Sequence, residues 1–260
     1  MVRHVKYVKS KLLKTAVLLE SNSLKQYVPD TRRLSSEDLL EMLKRYNMVY
    51  VKPDTGRYGQ GVMKIEMLST DQDACFRLYL GCESRGYTSH QGLFAAVDRL
   101  TESEAYIVQQ GINVLTHQDR PFDIRVMVQL SPARQWETTG YLARVAAPQR
   151  VVTNFHSGGT ARELKPILTE YMARVEATHY ISRLSRLGEN VALHCHRSFP
   201  YLQDIGLDIA IDKVMKPWIL EVNTRPLADV FKKLPNKHMY RTMCDYARAY
   251  GRLPRHRPIR

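Results

Sequence analysis

No stretch of the sequence approaches the roughly 18 uninterrupted apolar residues that a membrane-spanning helix needs, so there is no candidate span. The start, Met1 to Lys14, is basic with short apolar runs. It lacks the apolar centre and small-residue cleavage site of a secretory signal, and a cytoplasmic location is the default expectation. Cysteine is sparse: Cys75, Cys82, Cys195 and Cys244 form no CxxC pair and no regular spacing, which speaks against a disulfide framework and predicts reduced thiols. His194-Cys195-His196 is dense in ligand atoms, but neighbours at i and i+2 converge only where a strand presents them, and no further ligand pair follows. Repeats, low-complexity tracts and Pro/Gly/Ser linkers are also missing, so the 260 residues read as one enzyme-sized unit, in one piece or two lobes. The Walker pattern GxxxxGK[ST] is absent, as are an aromatic-basic RNA motif and a helix-turn-helix signal.

What is present is an ordinary globular composition, 44% apolar and 25% charged, with a net charge of +13. That balance favours an anionic partner: a nucleotide, an acidic peptide, a nucleic acid or an anionic surface. The charge is spread along the chain, apart from a basic tail at residues 252–260. Without a recognition motif, nucleic acid is the secondary reading.

Ser35-Ser36-Glu37-Asp38 followed by Leu39, Leu40, Met42 and Leu43 reads as an N-capped amphipathic helix. Met48 to Val51 is a short buried strand that delivers Lys52, after which Pro53 keeps the backbone out of helix. Gly61 to Glu66 alternates and returns, making 48–66 a hairpin. Helices are expected over 91–100, 164–186 and 237–251, and further strands over 105–109, 122–130, 136–146, 205–212 and 218–222. Helices and antiparallel strands mix without βαβ alternation, so the class is α+β with two lobes.

Four constellations carry chemistry. In Lys52-Pro-Asp-Thr-Gly56-Arg-Tyr-Gly59-Gln-Gly61 the glycines let backbone amides approach phosphate oxygens and the lysine adds a point charge; a plain hairpin turn is equally open. In the stretch 206–226, two apolar strands flank a turn near 214–216, which sets Asp208 across from Glu221 and puts Asn223 on the same face as Glu221. Two carboxylates and an amide oxygen make a hard site of the kind Mg²⁺ uses together with phosphate oxygens; the bland alternative is a solvent-facing acidic edge. Asp123-Ile-Arg125 fixes a guanidinium suited to phosphate or acyl-phosphate, or forms a surface pair. Asn154-Phe-His156-Ser-Gly158-Gly159 is a small-residue turn whose amides can form an anion nest, or an ordinary loop.

In this order, the four constellations resemble the ATP-grasp superfamily and, within it, the YheC/YheD group associated with the endospore coat. Ser10-Lys11, Tyr27-Val-Pro-Asp-Thr31, Tyr50-Val-Lys-Pro53 and Glu221-Val-Asn-Thr-Arg-Pro226 are similar to that group's patterns, and the likeness runs from about Ser10 to Gly251.

The resemblance implies an ATP-grasp fold in which two α+β lobes with antiparallel sheets clasp the nucleotide. Its parts would be an N-terminal linker segment at 1–34, an N-terminal lobe at 35–110 with the glycine-rich loop, a C-terminal lobe at 111–251 with the metal site, and the basic tail at 252–260. The α/β domain that precedes this fold in larger ligases is expected to be absent, which leaves room for a protein partner that supplies it. Lys52 would contact nucleotide phosphates beneath a loop containing Gly56, Gly59 and Gly61. Gln109, Gln110 and Ile112 would form the adenine hinge, with Asn154, Gly158 and Gly159 also on the nucleotide. Arg125, with Lys52, would serve the transferred phosphate, and Asp208, Glu221 and Asn223 would ligate Mg²⁺. Some related ligases carry an arginine two residues before the Asn of that turn; Val152 stands there, leaving Arg144 or Arg150 as substitutes. The implied cofactors are ATP and Mg²⁺. The implied activity is a carboxylate-amine ligase working through an acyl-phosphate on unidentified carboxylate and amine or peptide substrates. The alternative is a spore-associated structural or binding protein with a non-catalytic nucleotide site.

Overall fold

The structure, a computed structural model, describes residues 7–56, 59–69, 74–102, 104–148 and 158–254. The first half is built on strands β1 (Thr31–Arg33), β2 (Met48–Pro53), β3 (Met63–Ser69), β4 (Ala74–Leu80), β5 (Glu83–Tyr87) and β6 (Tyr106–Gln110). They form one antiparallel sheet in the order β1-β6-β2-β3-β4-β5. Helices α2 (Ser36–Tyr46) and α3 (His90–Thr101) belong to the same half, and Leu39, Met42 and Leu43 pack with Leu93, Val97, Val51 and Ile65 in one core. Ser35 caps α2 as its sequence predicts, accepting from Asp38 N at 3.0 Å, and Asn47 ends the helix in the left-handed region.

The second half is a sheet in the order β10-β9-β8-β11-β12, from β8 (Arg120–Leu130), β9 (Trp136–Val145), β10 (Thr160–Arg162), β11 (Asp204–Ile211) and β12 (Pro217–Asn223), with β7 (Thr116–His117) paired to β8. Alternation decides its two faces. Ile124, Val126 and Val128 point to a core shared with helix α5 (Arg174–Ser198), while Met127 joins Leu142, Phe231 and Met243 in a smaller cluster beside α6 (His238–Ala249). Asp123 and Arg125 share the parity of Met127, so the charged residues and α6 lie on one side of the sheet and α5 on the other. Gly188 lets α5 approach: a Cβ there would sit 2.9 Å from Val128 Cγ2.

One expectation needs correction, and two further elements were not anticipated. The predicted helix 164–186 is two helices, α4 (Leu164–Leu168) and α5. Glu176 reaches back to Ala173 N at 2.9 Å and starts the second helix afresh. α5 then runs past Arg186, because Leu187, Val191, Ala192 and Cys195 continue its buried stripe. The hairpin β4–β5 carries no clear sequence signal, since β5 is an exposed edge without alternation. Within 1–34, expected as a linker segment, lie helix α1 (Lys11–Leu19), packed on α5 and β12, and the edge strand β1.

The crossover from first to second half leaves β6 at Gly111. Its N–H bonds Met48 O at 2.8 Å, and a Cβ there would lie 2.7 Å from that same carbonyl oxygen. Gly111→Ala is therefore expected to cost about 1–3 kcal/mol, read as a lower urea midpoint at unchanged slope; an unmoved midpoint would mean that β2 yields at no cost.

Candidate functional site

Between the two sheets lies a cavity of about 450 Å³, of the size that small-molecule sites occupy. Its walls come from both halves. The first contributes Tyr50 and Lys52 on β2, Gly56, Gly59 and Gln60 of the loop, and Gln109 and Gln110 on β6, with Ile112 on the crossover; the second contributes Asp123, Arg125, Arg144, Asp208, Glu221 and Asn223.

The hairpin β11–β12 pairs Asp208 directly with Glu221 and Gly206 with Asn223, as the spacing predicts, with an irregularity after Asp208. Asp208 also lies across from Arg125 on β8, and Asp123 across from Arg144 on β9. These cross-strand neighbours form a buried charge network. Arg125 Nε donates to Asp208 Oδ1 at 2.6 Å, and an Arg144 Nη lies 3.0 Å from Asp208 Oδ2. Arg144 grips Asp123 with both ends of its fork, through Nε at 2.7 Å and through Nη2. Asn223 Nδ2 reaches Asp208 Oδ2 at 3.4 Å. Burial works to raise the Asp208 pKa, but the two guanidiniums outweigh it and hold the carboxyl at about 2. Burial likewise opposes the Arg144 charge, and Asp123 and Asp208 more than restore it.

Glu221 is more open, with Lys14 Nζ of α1 at 3.9 Å. Burial lowers the pKa of Lys14, partly offset by Glu221. Across the cavity, Lys52 Nζ donates to Gln109 Oε1 at 2.6 Å. Desolvation brings the Lys52 ammonium down to about 8, with Glu221 acting in the opposite sense. Gln109 in turn donates to Thr31 Oγ1 at 3.0 Å and to Leu220 O on β12 at 3.4 Å, linking the sheets.

The structure thus brings Lys52, Gln109, Gln110, Ile112, Arg125, Asp208, Glu221 and Asn223 to one cavity. Gln110 is partly committed, its Oε1 accepting from Asp30 N at 3.3 Å. Gly56 and Gly59 line the cavity, whereas Gly61 supports the loop from below: with φ +69°, a Cβ there would fall 2.6 Å from Tyr106 Oη. Gly158, at φ +86°, and Gly159 are not among the lining residues. Asn154 and Arg150 lie outside the described residues. The tract His194-Cys195-His196 sits within α5 and diverges: His194 Nε2 is 2.7 Å from Val17 O, Cys195 is in the core, and His196 meets Trp136 edge-on. Lys14 carries no sequence signal of its own, and Lys11 is marked there only within the family-like pair Ser10-Lys11 and without a role, because the helix that carries both is not apparent in the sequence. Arg144 was reached there only as a substitute for a missing arginine; its pairing with Asp123 is the signal that places it.

A profile described as YheC/D like ATP-grasp matches residues 6–253. The endospore coat-associated proteins YheD and YheC of Bacillus subtilis (strain 168) are 25% and 21% identical, over 218 and 210 residues. These alignments cover 82% and 80% of this chain but 47% and 57% of the relatives, so the chain spans about half their length. Among solved structures, the C-terminal domain from K. lactis Pby1, described as an ATP-grasp enzyme interacting with the mRNA decapping enzyme Dcp2, aligns at TM-score 0.50 and 14% identity. That alignment covers 98% of this chain and 79% of the other, a likeness of fold. The two antiparallel sheets with flanking helices are the ATP-grasp fold expected from the sequence. With its family profile running over nearly its whole length, the chain belongs to the YheC/D-like ATP-grasp family.

Proposed function

We propose that the cavity binds Mg-ATP and that the protein is a ligase-like enzyme that activates a carboxylate as an acyl-phosphate for attack by an amine. The observation that carries this reading is the meeting of Lys52 and the glycine-rich loop from one sheet with Asp208, Glu221, Asn223 and Arg125 from the other. The apolar wall at Ile112 and Leu220 suits an adenine ring, and the charged end suits phosphates.

The donor set fits Mg²⁺ conditionally. Asp208, Glu221 and Asn223 offer two carboxylates and one amide oxygen, and Mg²⁺ usually takes one or two carboxylates with the remaining positions filled by phosphate oxygens and water. Asp208 must first exchange an arginine contact, and Arg125 is the one placed to turn toward a phosphate. Bound there, the ion would neutralise phosphate charge as transfer proceeds. Lys52 and Arg125 would orient the terminal phosphoryl group. The substrate carboxylate oxygen would then attack it and release ADP, and the amine would displace phosphate from the acyl carbon to form an amide. Positioning and charge neutralisation carry such chemistry without a protein nucleophile.

Asp208 is held by two guanidiniums, and this favours a second reading, a spore-associated binding protein whose nucleotide site is non-catalytic. Titration with Mg-ATP and assay of ADP and phosphate release with pooled amino acids and peptides separates the two. The ligase should release ADP only when its substrates are present; tight binding without turnover favours the second reading, and no thermal stabilisation by Mg-ATP sinks both. Glu221→Gln is expected to weaken Mg-ATP binding at least about tenfold, while lowering stability less than the loss of Asp208 does, since its contact with the buried Lys14 is long, at 3.9 Å. Wild-type affinity in this variant would remove Glu221 from the site.

A further inference from the structure

Residues 8–14 touch both walls of the cleft within seven positions. Val8 N donates to Thr224 Oγ1 at 2.9 Å, and the Thr224 hydroxyl reaches Val8 O at 3.0 Å. Thr224 is buried and directly follows Asn223. Two residues after Val8 the chain grips the other half. Ser10 Oγ donates to Asp54 Oδ1 at 3.0 Å, Leu12 N donates to the same oxygen at 2.8 Å, and Lys11 N donates to Asp54 O at 2.9 Å. Ser10 Oγ also caps Leu13 N at 3.0 Å. The first amides of α1 are thus satisfied largely by Asp54, two residues beyond Lys52 at the stem of the glycine-rich loop. The body of α1 packs on α5 and β12, and Lys14 faces Glu221. Lys11 lines the cavity and donates from Nζ to Pro53 O at 2.7 Å, a further tie to the loop stem.

We infer that residues 8–14 are a strut that couples the stem of the phosphate loop to the metal hairpin; this rests on the reading of the cleft as a Mg-ATP site. A helix seated on one sheet and capped from the other sets the spacing between Lys52 and the group of Asp208, Glu221 and Asn223. Neither Asp54 nor Thr224 lines the cavity, so a change at either acts through the strut. Once the Asp54 end is released the loop no longer feels the strut, so loosening the Val8 end as well has no further effect on it.

Mg-ATP is titrated calorimetrically into wild type, Asp54→Ala, Thr224→Val and the double variant. Each single variant is expected to bind about tenfold more weakly, the scale of one or two lost hydrogen bonds. The double variant should be no weaker than the worse single, and Asp54→Asn and Thr224→Ser, which keep the acceptor oxygens, should restore affinity. Without nucleotide, amide exchange at Lys11 and Leu12 should quicken in Thr224→Val, although Thr224 touches neither. Unchanged affinity in the singles, losses that multiply in the double variant, or unchanged exchange would overturn the strut. Should Asp54→Ala not fold, Ser10→Ala takes its place. A wild type that does not bind Mg-ATP would defeat the nucleotide reading alone, and the exchange measurement would still decide the coupling.

Discussion

Asp208→Ala is expected to lower folding stability by about 3–5 kcal/mol, the scale for removing one partner of a buried ion pair, and to abolish Mg²⁺-dependent nucleotide binding. The stability loss comes from what stays behind. Arg125, at 2.6 Å, and Arg144, at 3.0 Å, would keep their charges in a buried setting with Asp123 as the nearby carboxylate. The binding loss follows from removing the carboxylate that sits directly across from Glu221. Comparison with Glu221→Gln separates the two effects, since that change should lose binding at a smaller stability cost. Acid titration adds a second check. The folded Asp208 carboxyl sits at about 2, below its ordinary 3.8. Its contribution is therefore complete above about pH 4 and is lost as pH falls through about 2. Wild type and Asp208→Asn should converge in that window. An unchanged urea midpoint for Asp208→Ala at neutral pH would show that the arginines do not depend on it.

The parts of the site that were legible in the sequence are those whose geometry follows from local period and a single turn. Alternation along β8 separates Asp123 and Arg125 from Ile124 and Val126, and one short turn sets Asp208 against Glu221. The network that joins them was less legible. The pairing of Arg144 with Asp123 depends on the register of two strands with an irregularity after Met127, which no spacing rule supplies. The strut was hidden for another reason. Lys-Leu-Leu-Lys-Thr-Ala-Val-Leu-Leu spans only nine residues with no acidic residue in its first turn to mark its start, and the partners of residues 8–12 at Asp54 and Thr224 lie 42–44 and 216 positions away. The edge strand β5 escaped because a strand exposed on both faces has no alternation to read. The break between α4 and α5 is set by Glu176 choosing the Ala173 amide, a local contact that competes with the continuous helical period.

Affinity for Mg-ATP is expected to fall as pH rises through about 8, by up to about tenfold per pH unit above it, because the proposed phosphate contact requires the protonated form of Lys52. The ammonium is held near 8 by burial, whereas an anion beside it must raise its pKa, so binding above pH 8 takes up a proton. Calorimetry in buffers of different ionisation enthalpy should detect that uptake. The sign reverses for the protein without nucleotide. With a folded pKa of about 8 against 10.5 for the free side chain, the unfolded chain holds the proton between those values and the folded chain does not. This group therefore makes stability rise with pH across that window. Lys52→Arg keeps a permanent charge, and should flatten the pH dependence of binding while removing the rise in stability; Lys52→Met should weaken binding at every pH below 8. Wild-type affinity independent of pH from 7 to 10, with no proton uptake, would place Lys52 off the phosphates and leave Arg125 to hold them.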